Sequence, residues 1–541
     1  MTATILCGNE NGGTGKNEWS ELTELSVKEL LLRQVNTRPD QAVLKQEDGT
    51  TYTWREMDMA SQIIAHDLAL LGVGAGAHVG LCGANSVNWV LTFLALQKLG
   101  AVAMLINPGQ IAREIGATAV IGDMCFLCYG EIADLDEEDS FLNKLRQAPG
   151  WAVKGVYSFR KPQNFKERFG EYAAIKELYR EPGYADAPCA MLFTSGSTGK
   201  PKGVIHSSRS LLKASEKQVV CQYVTERDRN LLIVPLFHIM GLVVCLFPCM
   251  LTGALLFIPE NIRTASLIRI MREEKCTLLH SVPTMFTALL NNRSFDPADF
   301  ASLRCTFLAG ATVAEKQMDM FIKTLPQNHF VVAYGLSEIA PVSVTVYGES
   351  RENLLHTVGM PLYDTEVRIV DHETGALCPP GVPGEILTRG EHLMLGFYNV
   401  SLADYSMDAD GFLHTGDIGC FREDGYLCFE GRYKDLIIRG GENIMPQEVE
   451  MAVSELEEIE DVRVIGYPSD FFGEEVGACV KIRQGMRFQE EAAKARLATR
   501  LSKYKIPSRF QVFREFPLLG SGKIDMLELK KIFQRRMQEE T

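Results

Sequence analysis

A polar loop between two strand-like segments carries the densest cluster of chemically useful side chains in the sequence. Residues 194–202 read TSGSTGKPK and follow the apolar run Ala190-Met191-Leu192-Phe193. A strand that ends in such a loop presents backbone N–H groups, hydroxyls and the ammonium groups of Lys200 and Lys202 to one point. This combination favours the binding of a polyphosphate.

The loop is not a Walker A motif. Pro201 follows Gly199-Lys200 where that motif requires Ser or Thr, and Thr194 stands in place of its first glycine. Pro201 also opposes a helix that begins directly on the phosphate-binding turn. A similar stretch, GGTGKN at residues 12–17, lacks a flanking strand and helix, and we assign it no function. The loop therefore indicates nucleotide binding of another kind.

Further clusters combine charged or polar side chains with glycine. The turn AYGLSE over residues 333–338 joins an aromatic ring, a hydroxyl and a carboxylate, which suits a stacked base and a phosphate-bound Mg²⁺ beside Glu338. The carboxylate of Asp417 ends DGFLHTGD and is of a type that accepts bonds from ribose hydroxyls. GRYKD and RGGEN lie within residues 431–443, and LGSGKID covers residues 519–525. Each cluster alone is also compatible with a structural turn, and a lone Gly-Asp is usually only that.

Composition limits the class of protein. A chain of 541 residues is too long for one compact core, so two or more domains are expected. The net charge of −14 argues against nucleic acid as a partner. Residues 1–20 carry no secretory signal and are predicted to be a disordered lead-in.

The 14 cysteines are scattered along the chain. Cys125 and Cys128 form a C-x-x-C pair, but no second pair or histidine cluster accompanies them at zinc spacing. Buried structural thiols in a reducing compartment are therefore expected, which predicts a cytoplasmic protein.

One apolar stretch tests the expectation of a globular protein. Residues 236–258 contain no Asp, Glu, Lys or Arg and are long enough to span a membrane. They include His238, Gly241, Pro248 and Gly253, however, and no basic cluster flanks them closely. We predict a buried helix that turns at Pro248 and Gly253 into a strand over residues 254–258, with no transmembrane segment. Peripheral contact with a membrane stays open.

Strand-like and helix-like segments alternate before residue 362, which predicts an α/β fold with parallel sheets covered by helices. The predicted strands are 79–82, 101–106, 231–234, 254–258, 278–281 and 305–308, and the predicted helices are 88–99 and 283–290. Short strands at 367–370, 384–387 and 426–430 are separated by Gly/Asp turns and predict a small β-rich subdomain over about 362–431. The pattern of the chain beyond Gly431 predicts a separate α+β domain.

The order of the motifs resembles the adenylate-forming superfamily. That superfamily includes acyl-CoA synthetases, aryl-CoA ligases, beetle luciferase and the adenylation domains of nonribosomal peptide synthetases. The motifs are TSGSTGKPKG, YGLSE, DGFLHTGD, GRYKDLIIRGGENIMPQEVE and GSGKID, spread over residues 191–526. The resemblance implies a large N-terminal domain over 21–431, with two parallel-sheet α/β subdomains and a small β-barrel-like subdomain. A small, mobile α+β C-terminal domain over 432–541 follows.

The resemblance also implies roles for individual residues. Lys523 matches the lysine that bridges the substrate carboxylate and the α-phosphate, and Lys434 matches the hinge of the small domain. Glu338 and Thr198 match the Mg²⁺-associated pair. His238 matches a catalytic aromatic position beside the acyl pocket, although a core histidine is the alternative. Positions that match ATP or AMP contacts are Thr194, Ser195, Gly196, Ser197, Thr198, Gly199, Lys200, Lys202, Gly310, Ala311, Tyr334, Gly335, Ser337, Asp417 and Arg432. The CoA or thiol channel matches Arg439, Gly440, Gly441 and Glu442, and the acyl pocket matches Phe237, His238, Met240 and Gly241.

The activity implied by the resemblance is that of an ATP-dependent carboxylate–CoA ligase that uses ATP, Mg²⁺ and coenzyme A. Amino-acid-activating members carry an aspartate in the segment equivalent to residues 236–243, and LFHIMGLV has no acidic residue. An unpaired ammonium group there would be costly, so amino acids are disfavoured. A medium- or long-chain fatty acid or an aryl acid fits better, and Met240, Met285 and Phe286 are compatible with a chain or a ring. Steroid and bile acids stay open.

Two alternatives remain at this point. One is a free-standing enzyme that loads the phosphopantetheine of a carrier protein instead of CoA. The other is a membrane-associated fatty-acid transporter that uses residues 236–258. The oligomeric state is left open by the sequence.

Overall fold

The computed structural model of the chain describes residues 19–131, 138–160, 164–179, 181–195, 201–311, 313, 315–400, 407–439, 442–469, 471–519 and 523–539. The helices, in chain order, are α1 (Val27–Thr37), α2 (Trp54–Leu70), α3 (Val87–Leu99), α4 (Ala112–Ile121), α5 (Glu138–Arg146), α6 (Tyr172–Ile175), α7 (Ser208–Gln222), α8 (Phe247–Thr252), α9 (Thr264–Glu274), α10 (Pro283–Leu290), α11 (Glu315–Thr324), α12 (Arg351–His356), α13 (Pro446–Ser454), α14 (Glu490–Leu497) and α15 (Met526–Glu539).

The strands, in chain order, are β1 (Ala42–Gln46), β2 (Thr51–Thr53), β3 (His78–Cys82), β4 (Val102–Ile106), β5 (Phe126–Tyr129), β6 (Gly155–Ser158), β7 (Pro188–Ser195), β8 (Pro201–Ser207), β9 (Arg229–Leu231), β10 (Leu255–Ile258), β11 (Leu278–Leu279), β12 (Cys305–Leu308), β13 (His329–Tyr334), β14 (Ser343–Val344), β15 (Met360–Pro361), β16 (Thr365–Val370), β17 (Gly384–Gly390), β18 (Gly396–Phe397), β19 (Leu413–Phe421), β20 (Leu427–Arg432), β21 (Ile437–Arg439), β22 (Glu442–Ile444), β23 (Ile459–Ser469), β24 (Gly473–Ile482) and β25 (Arg509–Val512).

Two sheets rich in parallel strands make up the larger, N-terminal part. One has the order β15-β14-β13-β12-β11-β9-β10-β1-β2 and is parallel from β13 to β1. The other has the order β18-β8-β7-β4-β3-β5-β6 and is parallel from β7 to β6. Parallel strands require crossover connections, which helices supply here. The predicted α/β fold is confirmed.

Helix α3 lies between the two sheets, where it contacts β1 of one and β3 and β4 of the other. Ser86 caps its start by accepting a bond from the Trp89 N–H, and Gly100 ends it with a φ of 66°. All residues of α3 are buried. The helix predicted over residues 88–99 is therefore present, and its uniformly apolar sequence reflects burial on every side.

The apolar stretch over residues 236–258 is a buried helical segment followed by a strand, as predicted. A π-helical turn, Gly241–Leu246, continues directly into α8, and Gly253 ends α8 with a φ of 84° before β10. The predicted turn at Pro248 is wrong, because the helix runs through this residue. Pro248 has no N–H for the Val244 carbonyl, and the side-chain amide of Asn230 approaches that carbonyl at 3.5 Å instead. Within the described ranges no helix is long and apolar enough to cross a membrane.

The strands after residue 362 form an antiparallel sheet in the order β16-β17-β19-β20. In the range of the predicted β-barrel-like subdomain, β18 departs from this sheet and pairs with β8, where Gly396 lies opposite Ile205. The chain after residue 432 forms its own sheet, β22-β21-β24-β23 with β25 beside β24, and its own apolar core with α13 and α14. A smaller α+β C-terminal domain is thereby confirmed.

The folded chain begins before residue 21. Trp19 packs against the main apolar core, and Ser20 Oγ donates to Glu216 Oε1 at 2.9 Å. These two residues, assigned to the lead-in by composition, therefore belong to the domain, and residues 1–18 lie outside the described part. Every cysteine in the described ranges is a free thiol, and most are buried, as predicted.

Candidate active site

The carboxyl ends of β11, β12 and β13 lie side by side at one sheet edge, because the three strands are adjacent and parallel. Val282 follows β11, Gly310 follows β12, and Tyr334 ends β13. A Cβ placed on Gly310 would lie 3.5 Å from Val282 Cγ1, so the first two loops are in contact. Ligands in open α/β sheets bind at this edge.

Lys523 reaches the same edge from the C-terminal domain. A Cβ placed on Gly310 would lie 2.8 Å from Lys523 Cε and 3.3 Å from Nζ, so the lysine lies directly against the glycine. Gly310 has a φ of 85°, a left-handed conformation that favours glycine. The Leu519 N–H donates to the Lys523 carbonyl at 2.7 Å and fixes the end of the loop, whose residues 520–522 lie outside the described part.

Two shifted pKa values characterise the surroundings of Lys523. Lys523 is exposed to solvent, yet enough protein surrounds the ammonium group that desolvation lowers its pKa, and the guanidinium of Arg432 lowers it further. The pKa of half-buried His238 is lowered to about 4, first by desolvation and then by the charge of Lys523. Two cations beside a neutral imidazole are suited to an anionic ligand.

Tyr334, Asp417 and Arg432 form one hydrogen-bonded unit. Tyr334 Oη donates to Asp417 Oδ2 at 2.7 Å, and Arg432 Nε lies 2.8 Å from Asp417 Oδ1. Asp417 and Arg432 are direct cross-strand partners on β19 and β20. Burial raises the pKa of the Asp417 carboxyl despite the charge of Arg432. The carboxylate is 1% exposed whereas Arg432 remains exposed, so the guanidinium is accessible to a ligand.

Glu338 lies in the turn that follows Tyr334 and Gly335. Desolvation raises the pKa of its carboxyl, and the charges of Arg432 and Lys202 offset only part of this effect. A half-buried carboxylate of this kind fits a divalent cation that completes its shell with phosphate oxygens. Among the described residues no group of three or more His, Cys, Asp or Glu side chains could hold a metal ion by itself.

Strands β7 and β8 form a hairpin around the polar loop, with Thr194 opposite Lys202. Pro201 begins β8 rather than a helix, as its sequence context predicts. Lys202 Nζ lies 5.1 Å from the centroid of the Phe397 ring, a cation–π contact that orients the ammonium group. The structure pairs Ser195 with Pro201. The predicted ATP contacts outside the described part are Gly196, Ser197, Thr198, Gly199 and Lys200.

The residues predicted for the acyl pocket lie around the start of the helical segment. The ring centroids of Phe237 and His238 are 4.7 Å apart, and Met240 is half-buried. A Cβ on Gly241 would lie 2.7 Å from Leu236 Cα, so only glycine lets the π-helical turn pack onto the chain before it.

Phe286, which the sequence suggested as compatible with an acyl pocket, lies in the apolar core instead. Its ring packs edge-on against Phe321 at 4.9 Å and Phe330 at 5.7 Å, and it is fully buried. The helical spacing of α10 turns Phe286 towards α11, whereas the neighbouring Met285 stays half-buried.

The predicted hinge and thiol-channel residues follow one another in the C-terminal domain. Lys434 is exposed in the 3₁₀ turn Tyr433–Asp435 between β20 and β21. Arg439 ends β21, with its Nε 2.9 Å from Glu475 Oε2 and its guanidinium 3.9 Å from the Phe472 ring centroid. Glu442 is exposed at the start of β22. Gly440 and Gly441 lie outside the described residues.

Known families match both parts of the chain. The family described as AMP-binding enzyme matches residues 31–398, and the family described as AMP-binding enzyme C-terminal domain matches residues 448–523. The chain belongs to the AMP-binding enzyme family. The predicted superfamily is thereby confirmed, and these matches together with the relatives described next confirm the predicted enzyme class, an AMP-forming acid–thiol ligase.

This AMP-binding enzyme is 31% identical over 538 residues to YngI of Bacillus subtilis, named as a candidate acyl-CoA synthetase, with 95% of this chain and 98% of that protein covered. It is 28% identical to the human mitochondrial medium-chain acyl-CoA ligase ACSF2, with 97% and 90% covered. The crystal structure of ATP-bound MatB from Rhodopseudomonas palustris superposes with a TM-score of 0.85 at 23% identity, with 94% and 99% covered. That likeness shows the shared fold.

Sequence motifs did not single out every residue that contacts the site of this AMP-binding enzyme. Val282 Cγ1 lies 3.5 Å from where a Cβ on Gly310 would be, and His206 and His392 donate to carbonyl groups of the turn that carries Glu338. A single histidine in a strand or loop has no distinguishing spacing, so no signal in one sequence could have identified these two.

Proposed function

We propose that this AMP-binding enzyme is a carboxylate–CoA ligase that activates a medium- or long-chain fatty acid or an aryl acid. The acid and ATP form an acyl-adenylate and pyrophosphate, and the acyl group then passes to coenzyme A as a thioester. The observation that carries the proposal is the position of Lys523. A lysine of the C-terminal domain lies at the nucleotide edge of the N-terminal sheets, against Gly310.

The first half-reaction places negative charge where this cleft is cationic. A carboxylate oxygen attacks the α-phosphorus, the bond between that phosphorus and the bridging oxygen breaks, and pyrophosphate leaves with the electron pair. Lys523 and Lys202 offset the charge on the phosphates, which is stabilisation by preorganised groups. A bound anion would also stabilise the Lys523 ammonium group against the desolvation and the charge of Arg432 that lower its pKa.

The residues that match ATP or AMP contacts would hold the nucleotide. The ring of Tyr334 would pack on the base, opposite Gly310 and Ala311. Asp417 would contact the ribose together with the exposed Arg432 that it holds. Gly335 and Ser337 complete the turn. The loop over Thr194–Lys202 would supply N–H groups and hydroxyls to the β- and γ-phosphates.

Mg²⁺ would be held by Glu338 together with Thr198 and phosphate oxygens. When bound, it would neutralise charge on the phosphates. Glu338 is suited to this because desolvation of its carboxyl is only partly offset by nearby cations.

The second half-reaction requires the C-terminal domain to rotate. We place the domains at 19–431 and 432–541, because Trp19 and Ser20 contact the N-terminal core, and Lys434 in its exposed turn would be the hinge. Rotation withdraws Lys523 and brings the loop of Arg439, Gly440, Gly441 and Glu442 to the thiol. The thiol sulfur attacks the acyl carbonyl, AMP leaves with the bonding electron pair, and the thiol proton passes to solvent.

The proposed substrate class follows from the segment over residues 236–243. Phe237, His238 and Met240 offer no acidic partner for an ammonium group, so an apolar acid fits and an amino acid does not. The relative ACSF2 is named for medium-chain acids. We also propose a cytoplasmic location, because free thiols predominate in reducing compartments.

Pyrophosphate release over a panel of fatty, aryl and amino acids, with and without CoA, tests the proposal. Release with one class of acid, and a thioester only when CoA is present, is the expected result. Lys523→Ala should lower pyrophosphate release by about 10²–10³-fold, the loss typical of one charge-stabilising donor. Absence of pyrophosphate release with every acid would contradict the proposed ligase activity. Acyl transfer to a carrier protein but not to CoA would show that the carrier's phosphopantetheine is the acceptor.

A further inference from the structure

Carbonyl groups in the turn between β13 and β14 accept bonds from outside the turn. The Ser337 carbonyl lies 2.7 Å from His206 Nε2, and the Pro341 carbonyl lies 2.7 Å from His392 Nε2. Between them, the Glu338 carbonyl accepts the Met394 N–H at 2.8 Å. The turn that carries the proposed magnesium ligand is therefore held on both sides of Glu338.

One donor lies in the sheet that carries the phosphate loop, and the other two lie in the segment that leads into β18 of the same sheet. His206 lies on β8, the strand that leaves this loop, four residues after Lys202. His392 and Met394 lie just before β18, which pairs with β8, and the Leu395 N–H donates to the Ile205 carbonyl at 2.8 Å. The turn itself belongs to the other large sheet. The bonds thus fix the distance between the two halves of a nucleotide site.

Both histidines are neutral donors. A carbonyl oxygen only accepts hydrogen bonds, so Nε2 carries the proton in each ring. His206 and His392 are 1% and 0% exposed, and desolvation lowers their pKa values to about 4 and about 3. In His206 the other nitrogen, Nδ1, lies 3.1 Å from Ser210 Oγ, which fixes the ring orientation.

We propose that His206 and His392 are positioning residues that hold the Ser337–Pro341 turn, and with it Glu338, at a set distance from the phosphate loop. The inference rests on the proposed function, because it deepens the role of Glu338 in binding Mg·ATP. Loss of either bond would let the turn move away from the phosphates. Only the half-reaction that uses ATP depends on this distance.

The amide pair Asn and Gln gives a matched test. Gln places its amide N–H near the position of Nε2, whereas Asn is too short to reach the carbonyl. We expect His206→Asn and His392→Asn to raise KM for Mg·ATP and lower kcat for pyrophosphate release, with kcat/KM reduced about 10- to 100-fold, as for other residues that orient a metal ligand. His206→Gln and His392→Gln should recover most of this loss.

The second half-reaction separates positioning from general damage. Supplied acyl-adenylate and CoA should give thioester at the wild-type rate in all four variants, and His356→Asn, an exposed histidine at the end of α12, should leave both half-reactions unchanged. Asn variants that match wild type, or that lose both half-reactions together with thermal stability, would overturn the inference.

The same variants distinguish failure of the inference from failure of the proposed function. Pyrophosphate release by the wild type establishes the function before any variant is compared. Calorimetric binding of Mg·ATP without an acid gives the same comparison if no acid is turned over. Weaker binding by the Asn variants than by the Gln variants supports positioning, and equal binding contradicts it.

Discussion

Gly310 and Lys523 lie so close together that a methyl group added to the glycine would displace the lysine side chain. The Cβ of any larger residue at 310 would lie 2.8 Å from Lys523 Cε, and the φ of 85° adds backbone strain. A substitution at Gly310 would therefore combine a steric clash with Lys523 and backbone strain, and a control must distinguish the two effects.

Gly310→Ala should displace the lysine and lower pyrophosphate release by at least about 10-fold. A small misplacement of a catalytic group can lower the rate by up to about 100-fold. Gly485→Ala is the matched control. Gly485 has the same φ of 85°, and its Cβ would meet nothing within 4 Å. Steady-state pyrophosphate assays of both variants check this. Equal losses would assign the effect to backbone strain instead of the lysine.

The lowered pKa of Lys523 predicts an alkaline limit of activity. In the proposed mechanism the ammonium form of Lys523 acts in adenylation, and desolvation with the charge of Arg432 lowers its pKa below the usual 10.5. As pH rises, kcat/KM for pyrophosphate release should therefore fall with a midpoint below 10.5, since this ratio reports the free enzyme.

Two variants check the origin of that limit. Lys523→Arg should show no corresponding loss, because a guanidinium stays charged in this range. Arg432→Gln should move the midpoint to higher pH whatever its effect on the maximal rate, since a nearby cation is removed. An unchanged midpoint in Arg432→Gln would contradict the electrostatic cause.

At the scale of elements, the π-helical turn before α8 depends on close backbone packing. The Cβ of a residue at 241 would lie 2.7 Å from Leu236 Cα, and these contacts are with backbone that cannot rotate away. The turn also lets the helix continue through Pro248. Packing in this region therefore sets where Phe237 and His238 lie.

Gly241→Ala should destabilise the protein by about 1–3 kcal/mol through overpacking. Urea unfolding followed by tryptophan fluorescence measures the change. Gly170→Ala serves as the control, because its Cβ would meet nothing within 4 Å and its φ is not left-handed. A Gly241→Ala variant as stable as Gly170→Ala would show that the helix shifts without cost.

At the scale of the whole molecule, a second contact joins the two domains, a hydrogen bond between residues far from Lys523 in the sequence. Lys316 Nζ on α11 donates to the Ser454 carbonyl at the end of α13, at 3.0 Å. This bond belongs to the arrangement that brings Lys523 to Gly310, and a rotation of the C-terminal domain would break it.

Lys316→Ala should therefore slow adenylation about two- to threefold, since an exposed hydrogen bond contributes at the low end of about 0.5–1.5 kcal/mol. Thioester formation from supplied acyl-adenylate should be unchanged or faster. Rapid-quench measurement of both half-reactions tests this, with Lys323→Ala in the last turn of the same helix as the control. Equal slowing of both half-reactions would exclude a role specific to this arrangement.

Local sequence was enough to predict many elements of the fold. The helix over Pro283–Leu290 and the strand over Cys305–Leu308 have the predicted limits, because an N-terminal proline and an apolar run between polar residues act within a few positions. The ordered motifs also predicted the family. A strand predicted at 231–234 instead ends at Leu231, where pairing with β10 and β11 ends.

Tertiary structure alone decided which groups meet. Ser337 and His206 are 131 positions apart, and Lys523 touches Gly310 from another domain. It also decided that Phe286 faces the core and that Pro248 lies within a helix. Local propensity acts over a few residues and is recorded in the sequence pattern. Contacts between distant segments depend on how whole sheets and domains pack, which no single segment specifies.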